Sequence, residues 1–414
     1  MKKIDKTMIV IKHIKLFLLL TLGLVTLTLS AQDCQTLTPI AANNTSAAIP
    51  GETMGQKLES LLFWSQQEKE ERFSIMHAIF PSIQVANGSK SAPFESIESV
   101  NPQWEDETSV SSYMDKNRVK GVIVLKDGKV NLEEYADGVD QETLWTSFSV
   151  AKSVSSMLLG VALKEGDIES LDDPLKKYIL DFEGYDYGEV SVRQLLTMTS
   201  GIDWNEDYED ANSDVAQMYK APCEDTESHI LTYMKPLKFI HKPGTHWNYS
   251  TGETDLVGIL IQKATGKSLA EYLSEKIWQP YGMEHCAYWL ADECSNLNIG
   301  GSGLSASLRD YARLGTLMLN KGKLGDDTIF SEEYLDNATA LRYKTNDQGG
   351  GYGYLWWRFK NGSYAAFGIF GQMLYINPNK NLVIAQIAAW PKAGSENLSK
   401  KRQAFIEAVE RGVE

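Results

Sequence analysis

The stretch Ser147–Gly166, SFSVAKSVSSMLLGVALKEG, decides how the chain is read. Val150, Val154, Met157, Leu158 and Val161 recur at helical spacing and Gly166 supplies a stop, so a helix is expected from near Phe148 to about Glu165. Ser149 and Lys152, three residues apart, then share one face. At a helix start the first-turn N–H groups lack intrahelical partners and lie where a developing oxyanion could sit. A serine hydroxyl is a poor nucleophile near neutral pH. It needs a base, and a lysine serves only where burial or a nearby cation depresses its pKa. Val150 and Val154 flank the pair and offer such burial. The spacing alone is weak, because a surface lysine at an ordinary helix start has the same letters.

Upstream, GVIVLKDGKVNLEEYADG has Asp127-Gly128 between two alternating runs, the signature of a hairpin with a tight type I′ turn. Before it, GQKLESLLFWSQQEKEERF reads as a charged helical stretch. Downstream, the chain from about 165 to 295 reads mainly as helix and loop. GKSLAEYLSEKIW carries Ser268 and Glu271 at capping-box spacing, and SASLRDYARLGTLMLNKG repeats the device with Ser307 and Asp310 before Gly322. From Tyr352 the pattern returns to strands: YGYLWWRF, SYAAFGIF, QMLYINP and NLVIAQIAAW, with a turn at Asn377–Lys380 and a last amphipathic helix near Ala404–Val409. Strands at both ends with helices between imply one sheet built from the two ends of the chain, with a helical region inserted.

The chain's 414 residues have a formal charge of −15, with no basic stripe to track phosphates, which argues against nucleic acid as a partner. At the N-terminus five lysines precede the apolar run Leu16–Leu29 and the small residues Ser30-Ala31. This is read as an export signal over residues 1–31, cleaved after Ala31, with a retained anchor as the other reading. The expected location is periplasmic or extracellular, with no membrane span left after cleavage. Residues 32–118 are then a tether and helical extension, and 119–414 the main domain, with a sheet part at about 119–148 and 296–414 and a helical part at about 149–295. In an oxidising compartment Cys286 and Cys294 could pair, or Cys223 could bridge to either; Cys34 is the fourth cysteine. No C-x-x-C occurs, and His241 and His246 share a Pro/Gly loop without metal-ligand spacing, so neither a metal nor an organic cofactor is expected.

Two further stretches give Ser149 a context. In HWNYSTGETDLVGIL, Tyr249 stands just before a helix and two residues ahead of Thr251; a tyrosine beside an amine can serve a leaving group as general acid. In AAFGIFGQMLY, Gly368 and Gly371 lie in a strand, where glycine usually marks a close approach to the backbone. Either a substrate carbonyl approaches the N–H of Ile369, or a bulge packs against a helix.

Ser149-x-x-Lys152, then Tyr249-x-Thr251, then a glycine-containing strand resembles the motif order of the serine β-lactamase and penicillin-binding-protein superfamily. The resemblance is nearest to its class C-like branch of esterases and amidases, particularly 6-aminohexanoate-dimer hydrolase-like serine hydrolases. It runs from about Gly121 to Trp390 and includes VSVRQLLTMTSGIDWNEDYED and GLSASLRDYARLG. It implies an α+β, β-lactamase/DD-peptidase-like fold: an antiparallel sheet with flanking helices facing a mostly helical domain, the site in the cleft between. It also implies Ser149 as the acylated nucleophile, Lys152 as its proton acceptor and Tyr249 as the residue exchanging protons with Lys152. The N–H groups of Ser149 and Ile369 would form the oxyanion hole. Thr251, Gly368 and Phe370 would contact substrate, and Tyr208, in NEDYED, either contacts substrate or packs its loop.

Two departures from the family pattern bear on substrate. Thr251 stands where Asn is common, and Ala366-Phe367 stand where lactamases and transpeptidases begin the third motif with Lys and Thr. A methyl and a phenyl cannot supply that lysine's charge, so the pocket reads as more apolar and an ester or linear amide is expected as the small-molecule substrate. The alternatives are a true β-lactamase or D-Ala-D-Ala carboxypeptidase, with Arg309, Arg313 or Arg358 replacing the lysine, and an envelope binding protein that is acylated but turns over slowly.

Overall fold

Asp127 and Gly128 have φ of 53° and 76°, the two positive values a type I′ turn needs. They join strands β2 (Val119–Lys126) and β3 (Lys129–Tyr135), as expected. The computed structural model describes residues 54–413 apart from 90, 92, 103, 105–108, 222–226 and 346–349. The expected signal segment, most of the tether, Cys34 and Cys223 therefore lie outside the described residues. Cys286 and Cys294 are both disulfide-bonded.

β2 pairs antiparallel with β14 (Leu382–Ala388), and from there the sheet continues through β13 (Gln372–Asn377), β12 (Tyr364–Gly368), β11 (Trp357–Arg358) and β10 (Gly351–Tyr352) to β9 (Tyr343–Lys344). Its order is β3-β2-β14-β13-β12-β11-β10-β9, so the two ends of the chain do build one antiparallel sheet. The family-type α+β fold is thus present. A short hairpin of β7 (Lys323–Leu324) and β8 (Asp327–Thr328) lies apart.

A second sheet was not expected. It has the order β1-β5-β6-β4, from β1 (Ser82–Val85), β4 (Leu144–Thr146), β5 (Ala287–Leu290) and β6 (Leu304–Ser307). β1 belongs to the stretch read as tether and helical extension, and β5 to the stretch read as helical. Each is four residues long, too short for alternation to stand out from its helical surroundings. The extension is therefore part of the same compact unit as the rest. Its charged stretch is two helices, Met54–Leu62 and Gln66–Arg72, separated where Ser65 and Glu68 form a capping box.

The helix after β4 runs Val150–Glu165 and stops at Gly166 in a left-handed conformation. It is buried from Val150 through Ala162, not amphipathic. Its serines satisfy themselves against neighbouring backbone: Ser153 Oγ donates to Leu355 O (2.6 Å) and Ser155 Oγ to Gly300 O (2.7 Å). The capping box at Ser268–Glu271 forms, and Ser307 caps Leu308–Leu319. The last helix is longer than expected, Glu396–Gly412 with Ser395 as cap. Its first turns are Lys-, Glu- and Gln-rich, so apolar spacing signals only the part that buries Phe405, Ile406 and Val409. No described helix is long and apolar enough to cross a membrane.

Candidate active site

Ser149 occupies the N-cap position of helix Val150–Glu165, yet its backbone is α-like (φ −67°, ψ −2°) and its side chain makes no capping bond. Its hydroxyl is thereby spared the local duty of a cap serine. The turn that delivers it is strained. Phe148 takes φ 44°, costly for a bulky residue, and is held there by ring contacts to Phe73 (5.0 Å) and Phe370 (5.2 Å). Ser147 N–H, bonded to Leu304 O at 2.7 Å, ties the turn to β6.

Lys152, one turn on, is 1% exposed. Its Nζ donates to Thr251 Oγ1 (2.8 Å) and to Gly301 O (3.0 Å), and lies 5.4 Å from the Tyr249 ring centroid. Burial holds its pKa below the ordinary lysine range, opposed by the charges of Glu206 and Asp255. Tyr249 lies close enough to Ser149 to feel its side chain, and its own pKa is raised, chiefly by burial and then by Glu206. Tyr249 stacks on Trp357 (5.9 Å, 20°) and meets Tyr352 edge-on at 6.1 Å. Ser149, Lys152 and Tyr249 thus come together.

The carboxylates were missed. Glu206 accepts from Trp204 Nε1 (2.6 Å), Tyr208 OH (2.5 Å), Thr251 N–H (2.9 Å) and the Thr251 hydroxyl. In the sequence it is one of four acidic residues among Glu206, Asp207, Glu209 and Asp210, and nothing distinguishes it. Asp255 is fully buried and accepts from Gly301 N–H (2.6 Å) and Tyr219 OH (2.8 Å). Burial pushes its pKa up to about 7 against the pull of Lys152. Its only sequence signal is the i, i+4 spacing from Thr251. Thr251 passes a chain of hydrogen bonds from Lys152 to Glu206 while also lining the cavity beside Ser149.

Gly368 and Gly371 are explained by packing. A Cβ on Gly368 would sit 2.4 Å from Ser147 O, and one on Gly371, at φ 95°, would meet the Trp390 indole at 2.5 Å. The first of these contacts brings the end of β12 against the Ser147–Ser149 turn. Ile369 follows and lines the same cavity as Ser149. Phe370 requires a correction: it is fully buried, and with φ 59° it turns inward onto Phe73 (5.3 Å) and Phe148, so it is core and not a substrate contact. Its N–H, bonded to Ala393 O at 3.0 Å, pins the turn that presents Ile369.

The three arginines suggested as substitutes for a motif lysine are all engaged by other groups. Arg309 pairs with Glu133 and Glu284, Arg313 with Glu284 and Asp310, and Arg358 donates to Gly362 O and Ser363 O. The cavity beside Ser149 has a volume of about 70 Å³. Its walls include Tyr208, Val215, Tyr219, Ile299 and, from the N-terminal helix, Leu58.

The model of the Beta-lactamase family matches residues 107–407, most of the chain. The chain belongs to the Beta-lactamase family. It is thereby a hydrolase of the β-lactamase and esterase superfamily, a group of enzymes acting on small substrates. It is 23% identical over 385 residues to a 6-aminohexanoate-dimer hydrolase of Paenarthrobacter ureafaciens, covering 89% of this chain and 97% of that one. A D-aminopeptidase of Brucella anthropi is 31% identical over 223 residues, 46% of this chain and 40% of that protein. Among solved structures, a candidate 6-aminohexanoate-dimer hydrolase from Bacillus anthracis superposes with a TM-score of 0.73 at 24% identity, over 91% of this chain and 98% of that one.

Proposed function

We propose that the chain is an exported serine hydrolase that cleaves a carboxylic ester or linear amide through an acyl-enzyme on Ser149. The observation that carries this reading is the bonding of Lys152. A neutral amine has two N–H groups and one lone pair; Thr251 Oγ1 and Gly301 O take the two N–H groups, leaving the lone pair to accept a proton. Burial favours that neutral form, and the charges of Glu206 and Asp255 stabilise the ammonium once it forms.

In acylation, Ser149 Oγ attacks the substrate carbonyl carbon as its proton passes to Lys152 Nζ. The carbonyl oxygen, now anionic, sits against the N–H groups of Ser149 and Ile369. Collapse breaks the bond to the leaving group, which takes a proton from Tyr249, and Lys152 returns one to Tyr249. Water then attacks the acyl-enzyme through the same groups in reverse. The raised pKa of Tyr249 suits a donor that is still protonated when it is needed.

Neutral substrates fit better than β-lactams, because Ala366 and Phe367 offer no charge to a substrate carboxylate and all three suggested arginines are engaged elsewhere. The relative named for a linear amide supports the amide bond as a target. Initial rates of the protein and of Ser149→Ala on a p-nitrophenyl ester, a linear aminohexanoyl amide and a chromogenic cephalosporin test it. Ester or amide turnover lost in the variant is expected. Strong cephalosporin turnover would overturn the substrate class, and an active Ser149→Ala the mechanism.

A further inference from the structure

Helix Met54–Leu62 lies before the residues the family model matches, yet Leu58, Leu61 and Leu62 form one wall of the cavity beside Ser149. Their i, i+3, i+4 spacing puts them on one face. The helix is anchored where it ends. Leu61 and Trp64 are buried, and Trp64 packs on Phe73, the ring that also touches Phe148 and Phe370. Just beyond, Gln66 Nε2 donates to Ala389 O (2.7 Å) and Lys69 to Pro391 O, past the end of β14. The wall is therefore set against the same cluster that shapes the Ser149 turn.

The cavity also has a direction. Tyr249, the proposed donor to the leaving group, stands with Trp247, Tyr352 and Trp357. None of these four lines the cavity, which runs from Ser149 past Thr251 to the leucines. The leaving group departs on the Tyr249 side, so the part that stays bonded to Ser149 Oγ occupies the cavity. The two tyrosine hydroxyls on its wall are already committed, Tyr208 to Glu206 and Tyr219 to Asp255. What is left for a ligand is mostly apolar, with Ser302 the polar side chain beside Ser149 and Thr251.

We infer that helix Met54–Leu62 sets the acyl specificity of the site, its leucines closing one wall of an apolar pocket for the acyl chain of the substrate. This rests on Ser149 being the acylated nucleophile. The test is kcat/KM on p-nitrophenyl esters from acetate to dodecanoate. It should rise about fourfold per methylene and break off at the chain length that reaches Leu58. Leu58→Trp should move the break to shorter acids and lower the hexanoate-to-acetate ratio at least about tenfold; Leu58→Ala should move it about two carbons longer. Each ratio is taken within one variant, so the folded fraction cancels. Where turnover is slow, Kd values of straight-chain alkylboronic acids, which need only a nucleophilic Ser149, supply the same profile.

No break in the wild type, or a break that both Leu58 variants leave in place, would overturn the inference. Fluorophosphonate labelling separates the two levels. Label on Ser149 with an unmoved break removes the gauge and leaves the nucleophile; no label on Ser149 removes both.

Discussion

Helices Val150–Glu165 and Thr251–Thr265 are both buried along most of their length, both stop at a left-handed glycine, and both begin beside Ser149, yet only the second is capped in the ordinary way. Ser250, extended at φ −142°, accepts from Glu253 N–H. Ser149 has α-like backbone and caps nothing. The capped start holds Thr251, Glu253 and Asp255 as fixed surroundings. The uncapped start keeps only the Ser149 hydroxyl for another partner, because the first-turn N–H groups of Val150, Ala151 and Lys152, which the sequence offered to an oxyanion, bond back to Ser147 O, Phe148 O and Ser149 O. A helix end can be spent on stability or kept for chemistry, and the two neighbours divide these roles.

Four changes would break or sharpen that division. Ser149→Ala should reduce ester hydrolysis at least about a thousandfold and shift the melting temperature by no more than about 2 °C, because no cap bond is lost; a large loss of stability would mean the serine is structural. Glu206→Gln should cost about ten- to a hundredfold in kcat/KM and also move the pH profile. Activity should rise with pH as Lys152 becomes neutral, with a midpoint below the ordinary lysine range. Glu206 raises that pKa, so its removal should carry the acid limb to lower pH; an unmoved limb would place Lys152 outside the titration.

Glu253→Gln tests the capped helix. Its carboxyl is buried, Ser200 Oγ donates to one oxygen, and its pKa is pushed up to about 8 by burial. An acid raised in the folded state makes folding take up a proton, so its share of stability is greatest below the unfolded pKa and falls as pH rises to about 8. Urea melts at pH 5, 6.5 and 8 should therefore favour the Gln variant increasingly, by up to about 1.4 kcal/mol per pH unit. A constant difference would mean that Glu253 stays charged. Ser250→Ala, the smallest change, should cost about 1 kcal/mol in the same melts. No cost would show that the two helix starts do not differ.

Ser149, Lys152 and Tyr249 were legible because each is marked locally: the first two by helix spacing, the third by its place before a helix start. The hairpin at Asp127-Gly128 and the cap at Ser268 were legible for the same reason. Glu206 and Asp255 were not, since their importance comes from touching Lys152 and Thr251, and the acidic run around Glu206 looks like any solvated loop. Phe370 misled because strand alternation does not anticipate a left-handed residue, and its inward turn depends on Phe73 and Phe148 from other parts of the chain. The small sheet escaped because β1 and β5 pair Ser82 with Leu290 across most of the chain.

By itself the sequence determined the longer elements and the one-turn spacing of Ser149 and Lys152, because backbone sterics and hydrogen bonding act over a few residues. The tertiary structure decided which carboxylates face Lys152, how far burial shifts its proton affinity, and that the leucines of an N-terminal helix close the cavity at Ser149. Those are properties of enclosure, and enclosure depends on residues that only folding brings together.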